Sequence, residues 1–349
     1  MKVVLFKNVI GEYRPSMIRY GNEICDNMLG NTRDFTIKAA NLPFVKYFLH
    51  KEFIYPFIAA KNQGDVNHIL DHSYAGLIRF MEKKKTIITC HDLSPLDFPE
   101  ERARFHGLRC WLNLRLLPCA NRIIAVSEAT KRSILKHFDY PEDRIHVIYC
   151  GVSGGFKVLG DRDGLRRKYG INSKAVMHVG GSWPRKNVEI ILRFLRERKD
   201  ITLIKVGPFS DENRDYISKH DLGDRIIHMG SGESDDEQLA ELYNAADVTL
   251  MPSFYEGFGL PVAEAMACGC PVICSDIDVF REVGGDAVIF VDPWNVQDLA
   301  TKADVVFKNT SLRNDMAKKG IERAKKFRWG NSAKETYKIY EMIYDEAKN

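Results

Sequence analysis

Short runs rich in valine, isoleucine and leucine recur along this chain, and stretches with helical patterning separate them. The runs fall at residues 3–6, 66–71, 86–90, 122–126 and 144–149, then at 175–179, 201–206, 225–229, 247–251, 271–274 and 287–291. Helical stretches lie between, among them 128–137, 188–198 and 235–244. An apolar run without alternation marks a strand covered on both faces. Strands alternating with helices must pair in parallel, because each crossover returns the chain to the same edge. The chain is therefore predicted to be an α/β protein built on parallel sheets.

At about 150 residues per domain, 349 residues suggest two domains. The segment YCGVSGGF, residues 149–156, is the expected boundary, since its three glycines let the chain turn between two packed units. Tyrosines 337, 340 and 344 form one stripe on an expected C-terminal helix and should pack on a core. A net charge of +4 does not argue for nucleic acid, and suits anionic small molecules or an anionic membrane face. The eight cysteines contain no CxxC pair, so small buried thiols in a reducing cytosol are expected. The start, MKVVLFKNVIGEY, reads as a strand and not as a signal peptide. No apolar run approaches the roughly 18 residues that a membrane span needs.

In parallel α/β sheets ligands bind beyond the carboxyl ends of the strands. The unusual polar and glycine residues of this chain gather at those ends. His91 and Asp92 follow 86–90, Ser127 follows 122–126, GGSWPRKN follows 175–179, and PSFYEGFG follows 247–251. In SFYEGFGLPVAEAMACGCPVICSD, Pro261 suits the first turn of a helix and Gly269 ends it. Phe258, Gly259 and Leu260 then aim free N–H groups off the positive end of that helix, toward a diphosphate or a sugar hydroxyl. Glu264, one turn inside, is placed to accept from two neighbouring hydroxyls, as a ribose offers. Helix-dipole complementation accounts passably for Glu264 but poorly for Glu256, which precedes the helix by several residues.

GGSWPRKN adds cations. Arg185 and Lys186 precede a helix, with Asn187 as its expected N-cap, and two cations at a helix N-terminus suit a diphosphate. Gly181 lies in the same loop. His91 reads equally as a site residue and as a core or capping one, Ser127 reads first as an N-cap, and Arg14 could reach an anion or an acceptor. There is no Walker A loop, no HExxH and no GxGxxG after a strand. The two DxD matches, Asp161 with Asp163 and Asp276 with Asp278, are read as chance, and no metal is expected.

Taken together, SFYEGFGLPVAEAMACGCPVI resembles the EX7E segment of family 4 glycosyltransferases, with Glu256 and Glu264 as its two acids. VGGSWPRKN resembles the phosphate-binding segment of that family. TIITCHDLSPLDFPE, AVSEATK, VIYCGV and KKFRWGNSAKETYKIYE fall in the family's order. The resemblance covers nearly the whole chain. It implies a GT-B fold, two Rossmann-like domains facing across a cleft, with an acceptor domain at 1–153 and a donor domain at 154–330. A terminal helix, 331–349, would return to the first domain. It implies transfer of a sugar from a nucleotide diphosphate sugar with retention, with neither a metal nor another cofactor. By matching positions Glu264 would hold the ribose, Glu256 and His91 would contact the donor sugar, and Arg185 and Lys186 would bind the diphosphate. The family's glycine-rich loop after the first strand is here GEYRPS, with only Gly11, so the first-domain phosphate contact expected of Gly11 and Arg14 departs from the pattern.

HDLSPLDFPE resembles mannosyl- and rhamnosyltransferases of polysaccharide assembly, which makes GDP-mannose the first expected donor and a saccharide or lipid-linked saccharide the acceptor. Residues 46–61 and 102–118 mix cations with aromatics, as amphipathic helices lying on an anionic membrane do; helices covering the first sheet would look the same. A cytoplasmic enzyme at the inner membrane face is the resulting expectation. A GT-B nucleotide-sugar epimerase and a non-catalytic nucleotide-sugar-binding subunit are the rival readings.

Overall fold

A computed structural model describes residues 1–7, 15–29, 36–39, 54–98, 111–181, 183–230 and 235–348, with the backbone alone at 15, 16, 29 and 36–39. The chain divides into two compact units, Met1–Gly151 with Trp329–Asn349, and Val152–Arg328.

The first unit holds a parallel sheet of strands β1 (Lys2–Phe6), β2 (Thr36–Ala39), β3 (Val66–Ile69), β4 (Thr86–Cys90), β5 (Arg122–Ala125) and β6 (Ile145–Val147), in the order β2-β1-β3-β4-β5-β6. Val3, Val4, Leu5, Ile87, Ile88, Ile123 and Ile124 are all fully buried, as strands covered on both faces require. Helix α1 (Pro15–Leu29) packs against the C-terminal helix Trp329–Glu346. Helix α2 (Glu128–His137) starts at Ser127, whose Oγ accepts from the Thr130 amide at 3.0 Å.

The chain leaves this unit at Gly151 and re-enters it at Trp329. A Cβ on Gly151 would lie 2.3 Å from the Trp329 backbone nitrogen, so only glycine fits where the two passes meet. The C-terminal helix buries Thr336, Ile339, Tyr340 and Ile343. Of the expected tyrosine stripe, Tyr340 is fully buried, while Tyr337 and Tyr344 flank it half-buried. The Tyr340 hydroxyl lies 2.6 Å from His68 Nδ1, His68 Nε2 lies 2.7 Å from Thr89 Oγ1, and Thr89 Oγ1 lies 3.2 Å from the Tyr20 hydroxyl. One buried polar chain thus joins α1, β3, β4 and the terminal helix. Burial pushes the His68 imidazole down to about 3, so it is neutral and serves as one donor and one acceptor.

The second unit repeats the plan with β7 (Lys174–Val179), β8 (Ile201–Val206), β9 (Ile226–Met229), β10 (Val248–Met251), β11 (Val272–Ser275) and β12 (Ile289–Val291), in the order β12-β11-β10-β7-β8-β9, all parallel. Helices α3 (Val188–Glu197), α4 (Asp236–Ala245), α5 (Leu260–Ala267), α6 (Val296–Lys308) and α7 (Thr310–Ala324) cover it. Two of them, α3 and α6, bury Ile191, Leu195, Leu299 and Ala303 over Val176, Leu203, Val248 and Leu250. From β7 the chain moves first to β8 on one side, and later places β10 on the other. The order of connection therefore reverses between β7 and β10, a switch point, where such sheets open a crevice.

Strand β2 was not expected. It is a four-residue edge strand, TIKA, with a single β-branched aliphatic residue, too little apolar sequence to mark it. The strand expected over 66–71 stops at Ile69 because Asp71 turns the chain, accepting from the Ser73 amide at 2.7 Å.

Replacing Tyr340 by phenylalanine strips His68 of a buried partner. A loss of about 1–3 kcal/mol is expected, to be read as a lower urea midpoint for the transition that releases the first unit.

Candidate active site

Two loops of the second unit build the site. After β7 the chain passes through Gly180 and Gly181 into a tight turn, Pro184–Lys186, and then into α3. After β10 it runs through Pro252, Ser253 and Glu256 to Gly259 and α5. The loops are stitched together by backbone: the Phe254 amide donates to the Arg185 carbonyl at 2.8 Å.

Asn187 does not cap α3. Its backbone is left-handed at φ 51°, and its amide group donates to the Pro252 carbonyl at 3.1 Å and the Pro293 carbonyl at 2.7 Å. An N-cap needs extended backbone to aim its side chain at the following amides. In the left-handed conformation the Asn187 side chain ties the loops after β10 and β12 to the loop after β7.

Glu256 is the centre of the cluster. Its Oε1 accepts from Lys186 Nζ at 2.6 Å and from Ser253 Oγ at 2.8 Å, and its Oε2 lies 3.6 Å from an Arg185 terminal nitrogen. The three side chains are 7%, 12% and 15% exposed, so this is a nearly dry ion cluster of two cations and one anion. It carries a net positive charge at low dielectric, where a further anion gains more than in water. Both cations reach Glu256 from about 70 positions away in sequence.

Helix α5 begins at Leu260 with Pro261 in its first turn, behind Gly259. Gly259 has φ 83°, and a Cβ there would lie 2.6 Å from the Phe280 ring. Phe258 contributes its backbone to this tip, while its ring packs edge-on against Phe327 at 5.4 Å. Glu264 is buried, and its Oε2 accepts from the Tyr243 hydroxyl of α4 at 3.1 Å. Beside the cluster, Trp294 stacks on Phe254 with ring centroids 4.1 Å apart.

His91 belongs to the first unit. It is buried, with Nε2 2.8 Å from the Leu70 carbonyl and its ring edge-on to Tyr20 at 4.6 Å. Its backbone amide donates to His72 Nδ1 at 3.1 Å. Burial lowers its pKa, partly opposed by Asp71. The Ser127 hydroxyl, fully buried, is engaged in capping α2. Gly11 and Arg14 lie outside the described residues. Asp161 caps the helix Arg162–Lys168, and Asp276 pairs with Arg281.

Two residues at this edge escaped the sequence reading. His178 and Lys205 interrupt the apolar runs of β7 and β8, sit side by side in register, and are fully buried. A lysine inside a strand covered on both faces is the signal that marks it.

With this geometry in view, residues 161–323 match the family described as glycosyl transferases group 1, and residues 36–153 match glycosyltransferase family 4. The chain belongs to the family 4 glycosyltransferases and is a glycosyltransferase. Among its relatives, O-antigen chain mannosyltransferase B of Escherichia coli is 29% identical over 275 residues, which are 74% of this chain and 71% of that one. An uncharacterized glycosyltransferase of Methanocaldococcus jannaschii is 31% identical over 240 residues, 64% of this chain and 60% of the relative. Among solved structures, sucrose-phosphate synthase of Thermosynechococcus elongatus superposes with TM-score 0.81 at 20% identity, covering 99% of this chain and 100% of that one. HepE of Anabaena, solved with UDP-glucose, gives 0.76 at 19% identity over 100% and 99%. These likenesses establish the GT-B fold.

Gly259→Ala forces a side chain into left-handed backbone and against Phe280. It is expected to cost about 1–3 kcal/mol, seen as a lower thermal midpoint of the second unit.

Proposed function

We propose that the second unit binds a nucleotide diphosphate sugar, and that the enzyme transfers its hexose with retention to a saccharide or lipid-linked saccharide. The observation that carries this reading is the Lys186–Glu256–Arg185 cluster at the switch point, beside the tip of α5. When the glycosidic bond breaks, charge develops on the departing diphosphate. Lys186, Arg185 and the N–H groups at the α5 tip offset that charge from fixed positions, so little reorganisation is needed. Gly181 and Gly259 let the phosphates approach the backbone. Glu264 holds the ribose, and Glu256, already orienting Lys186, takes hydroxyls of the donor sugar. The resemblance to family 4 glycosyltransferases gives His91 a contact with the donor sugar. Mannose carried by GDP is the first donor, supported by the mannosyltransferase relative and by HDLSPLDFPE.

A panel of GDP-, UDP-, ADP- and TDP-sugars read by thermal shift tests the reading. A ligand at 100 times its dissociation constant adds about 2.7 kcal/mol, and GDP-mannose is expected to give the largest rise. Lys186→Ala and Glu256→Ala should each lower turnover about 10²–10³-fold with an unchanged circular dichroism spectrum. Epimerised donor without a transfer product would replace transferase by epimerase, and no shift with any nucleotide sugar would remove the donor site.

The proposal extends to peripheral contact with an anionic membrane. No helix among the described residues is long and apolar enough to cross one. Within the two basic aromatic segments, Phe57 is 61% exposed with Lys61 over its ring, and Leu112 is also exposed. Residues 46–53 and 102–110 of those segments lie outside the described ones. Liposome co-sedimentation should show binding that grows with anionic lipid and falls with salt; no binding to either kind of vesicle overturns it.

A further inference from the structure

Lys205 lies on β8 with no solvent exposure, and among the described residues no carboxylate pairs with it. Its Nζ instead meets four backbone carbonyls, those of Gly180 at 2.5 Å, Gly207 at 3.0 Å, Val206 at 3.1 Å and Pro208 at 3.4 Å. An ammonium offers three hydrogens, so the three shorter contacts account for them. The Phe209 ring closes the pocket, its centroid 5.3 Å from Nζ. A methionine would fill this space without the cost of desolvating a charge.

The carbonyls belong to the loops after β7 and β8. At Gly207, with φ 99°, a Cβ would lie 2.4 Å from the Gly180 oxygen, so the loops already touch. Gly180 lies in turn under the Lys186 side chain, 3.7 Å from its Cε to a Cβ built on the glycine. A line of contacts therefore runs from Lys205 through Gly180 to Lys186 and Glu256.

We propose that Lys205 is a positioning residue of the donor site: its ammonium gathers these carbonyls, sets the loop that presents Arg185 and Lys186, and makes uptake of a diphosphate proceed together with uptake of a proton. The inference rests on the donor-site reading above. Burial, and next the charge of Lys186, lower the Lys205 pKa to about 7. Among the described residues, the other titratable groups facing it are His178 on β7 and His228 on β9. His178 Nδ1 donates to the Leu250 carbonyl at 3.0 Å, its Nε2 has no partner, and burial with the nearby Lys205 holds it down to about 3. His228 Nε2 lies 3.0 Å from the Gly207 carbonyl. The sign follows. Above about pH 7 the ligand-free protein holds Lys205 largely uncharged. A diphosphate beside Lys186 cancels the repulsion and favours the ammonium, so a proton enters. At pH 6 Lys205 is already charged and contributes none.

Isothermal titration calorimetry with GDP and with UDP, in two buffers of different ionisation enthalpy, reads the proton count. At pH 8 the wild type is expected to take up on the order of half a proton more than Lys205→Met, and at pH 6 the two should agree. The variant should also bind about tenfold more weakly. A residue that only filled space would leave the proton count unmoved. If the variant does not fold, the wild type decides alone, since uptake that fails to appear at pH 8 overturns the proposal. Binding with equal proton counts in both proteins overturns this inference and leaves the donor site standing. Failure of both nucleotides to bind the wild type overturns the donor site, and this inference with it.

Discussion

The ion pair between Lys186 and Glu256 is the interaction on which the site depends. Its partners come from the loops after β7 and β10, which lie together because those two parallel strands are neighbours in the sheet although far apart in sequence. A nearly buried pair of this kind gains little net stability, since desolvation offsets much of the attraction. Its effect is positional. Glu256 holds the ammonium at 2.6 Å, and the same carboxylate draws Arg185 toward it. Two cations against one acid leave the cluster with a net positive charge.

The surrounding structure serves that geometry with backbone more than with side chains. Gly180, Gly207 and Gly259 take conformations that other residues resist, and Asn187 takes a left-handed turn that frees its amide to tie Pro252 and Pro293. These carbonyls and amides bond across loops and tie them to one another. In the first unit the equivalent tie is the buried chain through His68, which fastens the terminal helix by the Tyr340 hydroxyl.

Much of this was readable from residue order. Strands β4 and β8 span the expected 86–90 and 201–206, α2 spans the residues that follow Ser127, and α5 starts beside Pro261. Local chemistry decides such features within a few residues. Edge strand β2 left no such trace, because an edge needs no long apolar run. Asn187 misled for a related reason: its type suits a cap, and only the neighbouring loops reveal that its amide is used elsewhere.

Sequence by itself determined the fold class, most strand and helix positions, the resemblance to family 4 glycosyltransferases, and the types of residue at the strand ends. Periodicity, glycine, proline and capping preferences act over a few positions, so they are written locally. Tertiary structure alone decided that Glu256 is neutralised by Lys186, that Glu264 takes the Tyr243 hydroxyl, and that Lys205 is held by four carbonyls. Those facts depend on which strand lies beside which, and on the removal of water from the space between, neither of which any short segment carries.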